Sequence, residues 1–138
     1  MNIKRFLISL AAVYFVLEIT KYLIHGIILY DTYSSDAISY LFRNTDDLNA
    51  RIWIMYIMDI IWSFFFVFFF ARGYENKGIW EGLRFGLYIG IFCVMVKTYN
   101  SYVVYPLPYS LAFRIFIYGI IQVVILGIVI SFIYKPKK

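Results

Sequence analysis

The sequence has little charge, one cysteine and one histidine. Lone Cys93 rules out an intrachain disulfide, a CxxC redox pair and a cysteine metal cluster. Lone His25 rules out bis-histidine haem ligation within one chain. Charged residues make up 15% of the 138 positions, too few to solvate a soluble domain of this size. There is no G-x-S-x-G, no HExxH and no phosphate-binding glycine loop followed by lysine. Ser63 and Ser131 sit in apolar runs with no nearby base. These absences lead to the expectation of a non-enzymatic chain with no cofactor and no metal.

The chain is instead 63% hydrophobic and 22% aromatic. Its net charge of +5 sits mostly at the ends of apolar runs. That placement fits membrane topology rather than the clustered basic face of a nucleic-acid binder. Four segments reach the roughly 20 residues needed to span a ~30 Å hydrocarbon core. They are about 6–30, 48–71, 79–102 and 110–134. Bare backbone is excluded from lipid, and the runs are continuous rather than alternating, so helices are expected rather than a barrel. Lys4 and Arg5 ahead of an apolar run resemble a signal peptide. The run is too long for one and no A-x-A site follows, so it reads as an uncleaved first span. The expected fold is a single all-α membrane domain, a bundle of four transmembrane helices.

Orientation follows from lysine and arginine. Lys4 and Arg5 lie at the start, Arg72, Lys77 and Arg84 around the second connection, and Lys135, Lys137 and Lys138 in the tail. The first connection is acidic and the third, NSYVVYPLPYS, carries no charge. The positive-inside rule then predicts that both termini are cytoplasmic. In the first connection, Ala37, Ile38, Leu41 and Phe42 fall at helical spacing behind Ser34 and Ser35. This predicts a short interfacial helix at the outer surface. TDDL (45–48) reads as a cap with Thr45 bonding free backbone donors. Gly73 and Gly78 suit a turn, and Pro106 and Pro108 stop one helix and start the next. The run FFFVFFF reads as lipid-facing bulk.

The first span carries Glu18, Lys21 and His25 at i, i+3 and i+7, one face of a helix. Each central charge costs roughly 2.5–3.5 kcal/mol on the insertion scale, whereas Leu, Ile, Val and Phe return about 0.3–0.6 each. Fourteen such residues between Phe6 and Leu29 return on the order of 6 kcal/mol, about what Glu18 and Lys21 cost. The stripe is therefore expected to face the bundle interior. Asp59, Lys97, Arg114 and Gln122 lie on the other spans, so one intramembrane polar cluster of Glu18, Lys21, His25, Asp59, Lys97, Arg114 and Gln122 is expected, with Tyr99, Asn100 and Tyr102 at its mouth. A purely structural reading competes: Glu18 pairs with Lys21, Asp59 pairs with Lys21 or Lys97, and Arg114 reaches the headgroups. Gly82, Gly86 and Gly90 form a GxxxGxxxG face on which a helix of the same chain, or of another copy, can pack closely.

HGIILYDTY (25–33), ARGYENKGIWEGLRFGLYIG (71–90) and PLPYSLAFRIFIYGIIQVVILGIVISFIYK (106–135) resemble a group of small four-helix bacterial membrane proteins with no assigned activity. EGLRFGL is the most specific part. The resemblance implies a bacterial inner-membrane setting and a framework that includes His25, Gly26, Gly82, Arg84, Gly86 and Pro106. The chain also resembles small multidrug transporters in its length and the acid in its first span. It departs from them in carrying Asp59, Lys97, Arg114 and a longer first loop. The expected role is an accessory or structural subunit of a larger membrane complex, with the lipid bilayer and other membrane subunits as partners and a homo-oligomer as an option. The alternative is a small proton-linked transporter or solute carrier using Glu18 and Asp59.

Overall fold

The computed structural model describes residues 2–135 and is 84% helical; no strand occurs among the described residues. Lys137 and Lys138, which entered the orientation argument, lie outside the described residues. Four helices dominate: α1 (Ile3–Ile28), α2 (Thr45–Arg72), α3 (Ile79–Val104) and α4 (Tyr109–Ile133). All four are long and apolar enough to cross a membrane, which is compatible with a multi-pass membrane protein. Only 22–28% of the most apolar stretch of each is buried within the fold. The apolar remainder lies outside the packed interior, where contact with water would cost about 25 cal/mol for every Å².

Two helices are not α-helical throughout. After Lys21, α1 widens into a π-helix over Tyr22–Ile28, and α3 does the same over Ile91–Met95. The start of α1, the end of α2, the start of α3 and the end of α4 share what is here called the basic end.

The closest helix pair is α3 with α4, and the glycines are the reason. A Cβ on Gly82 would stand 2.2 Å from the Gly127 carbonyl oxygen, and one on Gly127 would stand 2.2 Å from that of Gly82. One turn on, a Cβ on Gly86 would meet the Val123 oxygen at 2.7 Å. At Gly90 the neighbour is the Ile120 side chain, at 3.1 Å. The small-residue face of α3 is thus filled from within the chain by α4.

The main core lies toward the basic end, where Phe6, Val13 and Leu17 meet Phe66, Val67 and Phe70 of α2 and Val123, Leu126, Ile130 and Tyr134. This corrects the reading of FFFVFFF as lipid-facing bulk. Phe66 and Phe70 are each 2% exposed, and both pack edge-on against Phe85 of α3. Phe64, Phe65 and Phe69 do face outward. Every buried residue of α2 falls between Ser63 and Phe70. The other half of α2 buries no residue, and Trp53, Tyr56, Ile57 and Met58 there are exposed.

A second cluster of Ile24, Leu29, Ile38 and Leu111 fastens the first connection under α1 and α4. Where the sequence suggested one short helix, this connection forms a single helical turn, Tyr30–Tyr33, and a 3-10 turn, Ser39–Leu41. Ile38 is pulled into the core, which uses up the apolar side of that segment. The cap of α2 is Asn44 rather than Thr45: Asn44 Oδ1 accepts from the Asp47 N–H at 2.8 Å. Asp47 in turn pairs with Arg43 at 2.6 Å and with Arg51. Pro108 caps α4, and α3 ends at Val104 before Pro106.

The turn between α2 and α3 is built around Glu81, which sequence reasoning missed. Glu81 is 4% exposed, and its carboxylate accepts the backbone N–H groups of Glu75 (2.6 Å) and Lys77 (2.9 Å). The signal was present: Glu81 sits three positions after Gly78, the N-cap, at the spacing of a capping-box acid. Gly78 has φ +67°, which a Cβ would strain. The exposed Glu75 is held below the usual carboxylate range by Lys77 and then Arg84.

Candidate functional site

The stripe on α1 meets α2 near the middle of that helix. Ser63 is the outermost buried residue of α2, and Asp59 sits one turn further out, about halfway along the helix. Asp59 forms an ion pair with Lys21. Their side chains are 17% and 25% exposed, so the pair is neither sealed nor free.

Glu18 lies beside this pair, near Asp59, Lys21 and Tyr14. At 1.5 Å per residue it is about 15 Å below the end of α1. Its Oε1 is buried and has no hydrogen-bond partner among the described residues. Tyr14 borders both acids and also lies near Tyr56. Two carboxylates face one ammonium, so one carboxylate has no cation of its own. Leaving a partly buried carboxylate without a partner is costly.

The other members of the expected cluster go elsewhere, so the single cluster divides. Gln122 of α4 approaches a different face of α1: its Nε2 donates to Thr20 Oγ1 at 2.8 Å and to the Leu17 carbonyl at 3.3 Å. It locks α1 to α4 with neutral hydrogen bonds and does not touch the acids. His25 sits in the π-helical part of α1. Its ring stacks on Tyr33 (5.9 Å, 17°), and its Nδ1 shares a hydrogen bond with Tyr33 Oη at 2.8 Å. Burial pushes the Tyr33 phenol up to about 12, so it is protonated at neutral pH. Lys97 and Arg114 are exposed on the bundle surface and make no ion pair among the described residues.

Of the residues expected at the mouth, Tyr99 and Tyr102 meet α4 instead, and Asn100 is exposed. Tyr99 meets Phe116 edge-on at 5.8 Å, and Tyr102 meets Tyr109 at 5.7 Å. The described residues contain no group of three or more His, Cys, Asp or Glu that could hold a metal ion.

Fold and site together define a class: an all-helical chain with four helices long and apolar enough to span a membrane, carrying a carboxylate–carboxylate–lysine group on two of them. No family model matches the chain, and neither a curated protein nor a solved structure matches it.

Proposed function

We propose that this chain is a non-enzymatic multi-pass membrane protein that takes up and releases a proton at Glu18 and Asp59, coupled to movement of a small solute. The setting is a bacterial inner membrane with both termini cytoplasmic. The observation that carries the proposal is the buried, unpartnered Glu18 oxygen next to an Asp59 whose charge Lys21 already matches. A structural ion pair needs only Asp59 and Lys21. The second acid is not needed for that pair, and intramembrane acids of that kind mark proton and ion pathways. The exposure of the α2 segment beyond Asp59 supports access to the site from one side of the bilayer.

Infrared difference spectroscopy on the reconstituted protein tests this. A carboxylic-acid C=O band that grows as pH falls, and disappears in Glu18→Gln, is the expected result. A titrating band unchanged by Glu18→Gln and Asp59→Asn would remove the proposal.

A second reading, an accessory or structural subunit of a larger membrane complex, draws on Lys97 and Arg114. Both are cations within spans, exposed and without a carboxylate among the described residues. An acid on a neighbouring subunit would neutralise them. Mass measurement of the complex after mild extraction separates the readings, because a chain recovered alone or only with itself defeats the subunit role.

A further inference from the structure

A cavity of 420 Å³ lies at the basic end, far from Glu18, lined by Asn2, Lys4, Arg5, Ile8 and Ile133. It is bounded by the start of α1 and the end of α4. Its volume falls within the range of small-molecule sites, about 300–1,000 Å³. Its lining includes two cations and no acid. At the start of α1, Asn2 Oδ1 accepts the Arg5 N–H at 3.1 Å, and Asn2 O accepts that of Phe6 at 2.9 Å. The charge that the cavity offers a ligand comes from the Lys4 and Arg5 side chains.

Among the described residues, the other cations at this end have partners. Lys77 and Arg84 pair with Glu75. Arg72 lies over the Phe68 ring at 5.2 Å, and Lys135 over Phe132 at 5.7 Å. Lys4 and Arg5 have neither an ion pair nor an aromatic face among the described residues, and these are the two that line the cavity. Ile8 and Ile133 supply apolar wall on the bilayer side of the two cations.

We infer that this cavity binds the phosphodiester headgroup of an anionic phospholipid in the leaflet at the basic end. Lys4 and Arg5 hold the phosphate, and Ile8 and Ile133 take the first part of an acyl chain. A basic pocket between helix ends above an apolar wall matches both halves of such a lipid.

The test is native mass spectrometry of the full chain in detergent, titrated with phosphatidylglycerol, phosphatidylcholine and inorganic phosphate. Phosphatidylglycerol should bind in preference to phosphatidylcholine. The double variant Lys4→Gln, Arg5→Gln should weaken it about thirtyfold, from the value of two surface cations. The variant Arg72→Gln, Lys135→Gln loses the same charge outside the cavity and should bind as wild type. Ile8→Trp keeps both cations but fills the space, and should also lose the lipid. Equal weakening by the two double variants would mean diffuse attraction and overturn the inference. So would undiminished binding by Ile8→Trp, or displacement by inorganic phosphate at concentrations similar to the lipid, which would assign the site to a free anion.

Discussion

Substituting Gly82 with alanine tests the contact that holds the fold together. The added Cβ would sit 2.2 Å from the Gly127 carbonyl oxygen and 2.7 Å from Ser131 Cβ, against an ordinary contact of 3.4–4 Å. The near neighbour is backbone in the middle of a helix, so no side-chain rotation relieves it. The helices must separate locally by on the order of 1 Å, which forfeits a quarter to a half of each dispersion contact along the seam. Overpacking of this kind costs about 1–3 kcal/mol. Alanine returns about 0.5–1 kcal/mol through helix propensity. The net expectation is a loss of about 1–2 kcal/mol, roughly a tenfold shift in the folding equilibrium.

Reversible unfolding of the detergent-solubilised protein by added sodium dodecyl sulfate reads this directly. Gly73→Ala is the control: its Cβ would meet only the Phe69 oxygen at 3.6 Å, and it should be neutral or slightly stabilising. Gly127→Ala should match Gly82→Ala, and the double variant should cost less than the sum, because both strain one seam. A Gly82→Ala protein as stable as wild type, or a Gly73→Ala protein equally weakened, would refute the reasoning.

Three further outcomes follow from the same structure. Lys21→Met should destabilise the protein by more than Lys21→Met combined with Asp59→Asn, since the single change strands a partly buried acid and the double one removes both charges; a sodium dodecyl sulfate unfolding cycle checks it. Glu81→Ala leaves the Glu75 and Lys77 N–H groups without their carboxylate and should cost about 2 kcal/mol, with faster proteolysis in the turn between α2 and α3. Tyr33 has its ordinary value of 10.0 raised to about 12 by burial, so the folded state holds the proton over that interval while the unfolded state releases it. Stability should therefore fall as pH rises from 10 to about 12, and Tyr33→Phe should flatten that part of the profile in an ultraviolet-monitored titration.

Much of the architecture was legible because its signals are local. Continuous apolar runs, Pro106 and Pro108, and charge at the run ends mark four rods and their turns within a few residues of Ile3–Ile28, Thr45–Arg72, Ile79–Val104 and Tyr109–Ile133. Glu18, Lys21 and His25 could be placed on one face by helical spacing alone. The capping of α2 by Asn44 was misjudged by one residue, because Asn44 and Thr45 are both good caps and only backbone geometry chooses between them. Glu81 was passed over because an acid at a helix start has a routine reading as a dipole partner.

The pairing of the helices, by contrast, was decided in three dimensions. When a helix is apolar all round, periodicity carries no contrast between the face against protein and the face against lipid. Phe66 and Phe70 enter the core while Phe64, Phe65 and Phe69 turn outward, although the five share one chemistry. The same holds for charge. That Asp59 takes Lys21, that one Glu18 oxygen is left without a partner, and that Lys97 and Arg114 stay at the surface depend on how the helices pack. The sequence by itself determined that these helices prefer an oily solvent. Which side chains meet was left to packing, because shape distinguishes neighbours where hydrophobicity does not.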